Sequence, residues 1–371
     1  MGGRVWQLVP VLDEGDAIGD HARRMASILG DRHGGFIVER SAPTLKRLTT
    51  HVSNIEARDV DPEDILVYHV ALASQVGEWL RRVQARTVID YHGITPASFL
   101  RAYDAGLSVA LSKSRYELEA LRPQTLMALA DSNYLRAELV AAGFERTETL
   151  PILLDFTRFD AEPDEQRMAQ LAEGNRGADV LFVGRVAPNK RHEDLIKAFV
   201  MYRRLYNPDA RLFLVGRPDV KTYFAAVSAF VERLGVEEVH VVGRVTPGEL
   251  VAHYRAADVF LAMSEHEGFG IPWLEAMYLG LPVVTYSAAA LSETVAGGGL
   301  LFAEKRWETV AALLDVVLSD GQARGRLVEA GHRRVAELRP ERFEARVVSL
   351  MDEIAAMDRS VVHPDTLLQS S

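Results

Sequence analysis

"DVFLAMSEHEGFGIPWLEAMYLGLPVVTY", residues 258–286, reads as one complete strand–loop–helix–strand unit. An apolar run of strand formers leads into the polar, glycine-bearing loop 264–270, and a second apolar run, 281–286, follows a helical stretch. Pro272 suits a helix start, because the donor it lacks has no partner there. Gly268 and Gly270 let backbone approach a ligand closely. The free N–H groups of a helix start, reinforced by the helix dipole, make a site for an anion or a hydroxyl. Glu267 lies in the loop, and Glu275 falls in the first turn of the expected helix. Taken alone, Glu275 reads equally well as a dipole partner; two glutamates around Gly-Phe-Gly point to an oxygen-rich ligand.

Outward from this unit the pattern repeats. "DVLFVGR", "ARLFLVG", "VHVVGRV", "DVFLAM", "LPVVTY" and "LLF" form one strand series, and "RVWQLVPVL", "GFIVE", "DILVYHV", "RTVIDYH" and "LMALADS" form an earlier one, with amphipathic stretches between. Alternating βα units of this kind build parallel sheets covered by helices on both faces. The expected class is α/β, with two Rossmann-like, doubly wound parallel-sheet domains facing a central cleft, since ligands of such sheets sit outside the carboxyl ends of the strands. A length of 371 residues also favours two domains over one core. The expected limits are 1–160 for the first domain, a polar linker at 161–177, and 178–339 for the second. A helix at 340–358, with Phe343, Val347, Leu350, Met351 and Ile354 on one side, is suited to pack back on the first domain. The last residues, "SVVHPDTLLQSS", are expected to be frayed.

Composition narrows the function. A formal charge of −10 argues against nonspecific binding to nucleic acid or anionic lipid. The absence of cysteine removes disulfides, thiolate metal sites and thiol nucleophiles, and fits a reducing compartment. The opening "MGGRVWQLVPVL" lacks the features of a signal peptide, and no apolar run approaches a membrane span. The expectation is a soluble, cytoplasmic protein without an integral span, peripheral membrane contact being left open.

"FVGRVAPNKRHEDLIKAF", residues 182–199, puts Arg185 and Lys190 between a strand and a helix. Two cations at a sheet's carboxyl edge suit a diphosphate, although an isolated basic turn usually is only a solvated turn. Beside an acidic, glycine-rich loop in the same domain, they describe a nucleotide sugar.

These segments, spanning 178–303, resemble the donor domain of the retaining glycosyltransferases of family 4, which have the GT-B fold. The resemblance implies that Glu267 and the backbone of Gly268, Phe269, Gly270 and Ile271 contact the donor sugar, and that Glu275 binds the ribose hydroxyls. By the same resemblance Gly184, Arg185 and Lys190 meet the diphosphate, and Gly243, Arg244 and Val245 line the nucleobase pocket. The catalytic set it implies is His92, Arg185, Lys190 and Glu267.

The first half resembles the family more loosely. The family's double-glycine loop is replaced by "DEGDAIGDHARRM", leaving Gly15 near the phosphate and Asp16 on the acceptor side. His69 and His92 end two strands. His92 resembles the family histidine that approaches the donor sugar, while His69 reads as an acceptor-side residue or, more simply, a hydrogen-bonded strand end.

The implied reaction moves a sugar, with retention, from a UDP- or GDP-sugar to the hydroxyl of a carbohydrate, a lipid-linked or a small-molecule acceptor. With no cysteine, no histidines clustered in sequence and no Asp-x-Asp signal, no metal is expected. An epimerase of the same fold and a noncatalytic nucleotide-sugar binder are the alternatives. A nicotinamide dehydrogenase is disfavoured, because "GDAIGDHA" only imitates G-x-G-x-x-G.

Overall fold

The computed structural model describes residues 3–358; the tail expected to fray lies outside them. The chain divides into two compact units: residues up to Ala97, Gly106–Asp155 and the chain from Leu338 form the first, and Ser98–Ala105 with Phe156–Glu337 the second.

The first unit contains β1 (Val5–Leu8), β2 (Val11–Leu12), β3 (His33–Val38), β4 (Arg40–Ser41), β5 (Thr49–His51), β6 (Ile65–Val70), β7 (Arg86–Tyr91), β8 (Thr125–Ala130) and β9 (Thr147–Thr149). Seven of these form one sheet in the order β5-β3-β1-β6-β7-β8-β9, every pair parallel, while β2 and β4 pair separately. All six residues of β6 and of β7 are buried. Central parallel strands are covered on both faces, which is why they read as continuous apolar runs. The helix Glu344–Ala356 adds Val347, Leu350, Met351 and Ile354 to the core that holds Val5, Val67 and Val88, and Phe343 packs against it part-buried. Arg86, at the start of β7, donates to the Met357 carbonyl at 2.6 Å and so ties down the end of that helix.

The second unit contains β10 (Asp179–Val183), β11 (Arg211–Val215), β12 (Val239–Gly243), β13 (Val259–Ala262), β14 (Val283–Tyr286) and β15 (Leu300–Phe302). They form one parallel sheet, ordered β12-β11-β10-β13-β14-β15.

The stretch 161–177, expected to be a linker, carries the helix Glu165–Ala172. Asp164 caps it, accepting from the Arg167 amide at 2.7 Å, and Arg167 pairs with Glu249 of the helix Pro247–Ala256, also at 2.7 Å. Polar composition disguised a helix that buries one apolar residue, Leu171. Residues 98–105, expected in the first domain, group with the second unit, where Tyr103 packs edge-on against Tyr223 at 5.0 Å. Among the described residues no helix is long and apolar enough to cross a membrane.

Because Leu350 is fully buried in the first unit's core, Leu350→Ala should destabilise that unit by about 2–5 kcal/mol. Urea unfolding followed by tryptophan fluorescence reads the change; an unaltered midpoint would show that the helix contributes nothing to this core.

Candidate active site

In a doubly wound sheet the crevice opens where successive crossovers run in opposite directions. In the second unit the chain leaves β10 toward β11 and leaves β13 toward β14, so the crevice lies between the loops after β10 and β13. Those two loops carry Arg185 and Lys190, and Glu267 to Gly270.

The two loops are joined by a buried ion pair. Lys190 Nζ donates to both carboxylate oxygens of Glu267 at 2.6 Å, with the two side chains only 10% and 9% exposed. Burial pushes the Lys190 ammonium below its ordinary range, and Glu267 works against that push. Backbone contacts hold the same junction. Asn189 donates through its amide to the His266 carbonyl at 3.0 Å, and its own carbonyl accepts from the Glu265 amide at 2.8 Å. Lys305 bridges Glu265 at 2.7 Å and Asp194 at 3.0 Å.

Arg185 stands apart from this cluster. Its side chain is 60% exposed and 3.4 Å from Asp219. Gly184 follows β10 and Gly216 follows β11; a Cβ on Gly216 would lie 1.9 Å from the Gly184 carbonyl oxygen, so only glycine allows the approach. Gly243 (φ 81°) closes β12, with Arg244 exposed and Val245 half-buried after it.

Gly270, at φ 94°, is the N-cap of the helix Ile271–Tyr278. A Cβ there would meet Leu291 at 2.8 Å. The helix starts at Ile271, with Pro272 second, so Glu275 lies in the second turn and not the first, correcting the dipole-partner reading. Its carboxylate is instead held by two side chains: Oε1 accepts from Arg158 at 2.5 Å and Oε2 from the Tyr254 hydroxyl at 2.8 Å. Each carboxylate oxygen has two lone pairs, so both Glu267 and Glu275 keep acceptor capacity for hydroxyl groups.

In the first unit the crossovers diverge between β1 and β6, and the carboxyl ends of the four adjacent strands β1, β6, β7 and β8 carry a polar cluster. Gly15 (φ 73°) is exposed. Asp16 is the N-cap of the helix Ala17–Leu29, accepting from the Gly19 amide at 3.1 Å; this gives it a structural task at the place of the missing glycine. The His69 side chain is wholly buried, with its nitrogens at 2.6 Å from Gln7 Oε1, 3.0 Å from His92 Nε2 and 3.4 Å from Asp90 Oδ2. His92, with its side chain 3% exposed, has its other nitrogen at 2.9 and 3.0 Å from the Asp131 oxygens. His21 reaches Asp90 at 2.9 Å.

Histidines separated in sequence are therefore clustered in space. His21, His69, Asp90 and His92 have ligand-type atoms within 4.8 Å of one another, the spacing of a metal site. The Leu153 amide donates to His21 Nδ1 at 2.8 Å, which places the His21 proton on Nε2, the atom that would have to face an ion, so in this arrangement His21 is not a ligand and His69, Asp90 and His92 are the groups left.

Sequence reasoning missed Arg158 and Tyr254, which hold Glu275, and Asn189 and Lys305, which hold the loop. It also missed His21, Asp90 and Asp131. The polar residues in "VIDYHG" and "LADS", each at the end of an apolar strand, were the available signal for the last two. His21 had none, being one polar residue on an amphipathic helix.

The model of the family Glycosyl transferases group 1 matches residues 163–334, which include Arg185, Lys190, Glu267 and Glu275 but not Arg158. A D-inositol 3-phosphate glycosyltransferase of Nocardia farcinica is 30% identical over 78% of this chain and 65% of its own length, so the chain spans just under two thirds of that relative. A GDP-mannose-dependent alpha-(1-6)-phosphatidylinositol monomannoside mannosyltransferase of Mycolicibacterium smegmatis is 30% identical over 71% of this chain and 69% of its own. Among solved structures, sucrose-phosphate synthase of Thermosynechococcus elongatus superposes with a TM-score of 0.73 at 19% identity, covering 95% of this chain and 99% of that one. HepE of Anabaena, in complex with UDP and glucose, superposes with a TM-score of 0.74 at 16% identity, covering 95% and 100%. At such identities the superpositions speak for the fold, which is GT-B. The match of residues 163–334 to the family model, with a 30% identical relative matched over more than two thirds of its length, shows that this chain belongs to the glycosyl transferases group 1 family.

Proposed function

We propose that this protein transfers a sugar from a nucleoside diphosphate sugar to a hydroxyl acceptor with retention at the anomeric carbon. The observation that carries the reading is the crevice of the second unit, where Lys190 and Glu267 meet across the β10 and β13 loops and Glu275 projects from the helix that follows. A departing nucleoside diphosphate develops negative charge, and preorganised cations stabilise it without reorganisation at the moment of reaction. Arg185 and Lys190 supply that charge. Glu267 orients sugar hydroxyls, Glu275 accepts from the ribose hydroxyls, and the Gly268–Gly270 backbone lies against the sugar. The Gly243–Val245 segment lines the nucleobase pocket.

Retention rests on the family resemblance. In that account the leaving phosphate takes the acceptor proton, and Glu267 is not a base. The donor is a UDP- or GDP-sugar: one relative is named as GDP-mannose-dependent, and one fold neighbour was solved with UDP and glucose. The relatives' names make inositol phosphates and phosphatidylinositol mannosides the first acceptors to try. The reading takes the reaction to be metal-independent and cytoplasmic.

A donor panel with and without those acceptors, read as nucleoside diphosphate release, tests the reading: release must require both donor and acceptor. Release without acceptor, accompanied by a free altered sugar, would indicate the epimerase.

Arg185→Ala is the cleanest probe of leaving-group stabilisation, because its exposed side chain can be removed without opening the core. Turnover should fall on the order of a hundredfold with an unchanged unfolding midpoint; wild-type turnover would remove Arg185 from the diphosphate site.

The two glutamates serve different parts of the donor, so calorimetric titration should separate them. Glu275→Gln should weaken binding of both bare nucleoside diphosphate and intact donor. Glu267→Gln should lower turnover without weakening the bare nucleotide, because it frees Lys190 of its counter-charge and leaves that cation to the diphosphate. Equal losses for the bare nucleotide would refute this division.

Activity should survive prolonged treatment with a chelator. Loss on chelation with rescue by magnesium or manganese would contradict a cation role for Arg185 and Lys190 that needs no metal.

A further inference from the structure

Arg191, the residue after Lys190, adopts a left-handed backbone conformation, with φ 53° and ψ 50°. The Cβ of an L-residue crowds the following carbonyl oxygen there, so glycine, or a short polar residue such as asparagine, is the ordinary occupant. The position is a joint. It follows the turn Pro188–Lys190, and its carbonyl accepts from the Asp194 and Leu195 amides, at 3.0 and 3.2 Å, in the first turn of the helix His192–Leu205. Glycine would make this joint without strain. What glycine lacks is the guanidinium, and a strained residue that persists is a reason to ask what its side chain does.

The guanidinium meets the carboxylates of Glu193, Asp194 and Glu265. Nη1 lies 3.0 Å from Glu193 Oε1, and Nε lies 3.1 Å from Asp194 Oδ2 and 3.4 Å from Glu265 Oε1. Lys305, which follows β15, donates to the same oxygens of Asp194 and Glu265, and Lys197 donates to the other Asp194 oxygen at 3.2 Å. Single exposed ion pairs contribute little. Here, however, Asp194 is only 4% exposed and is shared by Arg191, Lys197 and Lys305, so the contacts form a network around a buried charge. Glu265 is thereby held twice, by Arg191 and Lys305 at its carboxylate and by the Asn189 carbonyl at its amide. It stands two residues before Glu267, as Arg191 stands one after Lys190.

We propose that Arg191 is a positioning residue for transfer: by clasping Glu265 it keeps the loop of Glu267 in register with the loop of Lys190, and the strained backbone is what a cation at this joint costs. This rests on the reading of Lys190 as a cation for the leaving diphosphate. The pairing of β10 with β13 fixes the two loops only where they leave the sheet, and the clasp ties them together beyond it. Stability and function therefore pull apart at this position. Glycine would relieve the backbone and remove an ion pair whose two side chains are each 34% exposed, so the fold loses little. The two loops would lose a tie that transfer uses.

The test compares wild type with Arg191→Gly, Glu265→Gln and the double variant by thermal unfolding, by hydrogen exchange of the Glu265 amide in unliganded protein, and by turnover. Arg191→Gly should leave the unfolding midpoint unchanged or raise it. It should speed exchange of the Glu265 amide and lower turnover, each about tenfold, within the range of couplings found inside one ion-pair network. Glu265→Gln should lower turnover by a similar factor, and the double variant no further than either single one, because Arg191 acts through Glu265. Arg191→Asn, which tolerates the left-handed backbone, serves if the glycine variant does not fold. A lower midpoint with wild-type turnover would make Arg191 a residue of the fold alone; wild-type exchange at Glu265, or losses that add in the double variant, would equally overturn the proposal. If no donor and acceptor pair supports turnover, the glycosyltransferase reading fails separately, and exchange of the Glu265 amide still decides whether Arg191 holds the loops.

Discussion

The Lys190–Glu267 ion pair is the constraint on which the second unit's site depends. Residues 77 positions apart meet because β10 and β13 are hydrogen-bonded neighbours whose following loops diverge. An ammonium and a carboxylate this deep are tolerable only together, since removing either leaves an uncompensated buried charge. Geometry good enough for that requires both loops to be rigid. The Asn189 bonds to Glu265 and His266 and the Lys305 bridge provide the rigidity, and glycine at 184, 216 and 270 provides room where backbones and side chains close in. The rigidity of these two loops is thus a consequence of how the sheet is wound.

The first unit solves the corresponding problem differently. There the strand ends themselves, and not long loops, carry the polar groups: Gln7 on β1, His69 on β6, Asp90 on β7, with His92 and Asp131 one residue beyond β7 and β8. In register, His69 faces Asp90 directly across the β6–β7 pair. Buried polar groups at strand ends must find partners among neighbouring strands, and the order β1-β6-β7-β8 decides which partners exist.

Much of this was legible in the sequence. Strands buried on both faces announce themselves as short apolar runs, and Arg185, Lys190, Glu267 and Glu275 stand out as polar residues at their ends or in the helix that follows. What was hidden was pairing. Nothing in the order of residues says that Lys190 touches Glu267, that Arg158 reaches Glu275, or that His21, His69 and His92 converge, because those contacts follow from strand adjacency. The misplaced turn of Glu275 had a local cause: the helix was counted from Pro272, while Gly270 caps it one residue earlier than that count allowed. The helix at 165–172 was missed because only Leu171 of its residues is buried, so it offered no apolar stripe to read.

Among the buried histidines, burial and the charged neighbours together set the direction of each shift. His192, packed beside Lys190, is pulled down to about 3, first by burial and then by that cation; His253, with Arg167 nearby, falls to about 4 for the same kind of reason. His92 is buried as they are, and burial pulls it in the same direction. It moves the other way because two carboxylates face it where the others face a cation. Asp90 is itself drawn below the usual carboxylate range, burial pushing it up and the three imidazoles pulling it down further. Those carboxylates come from β7, the strand that His92 follows, and from the residue after its neighbour β8. A different strand order would leave the same residues in the same sequence without Asp131 beside His92, and the direction in which this side chain shifts therefore depends on the sheet's topology.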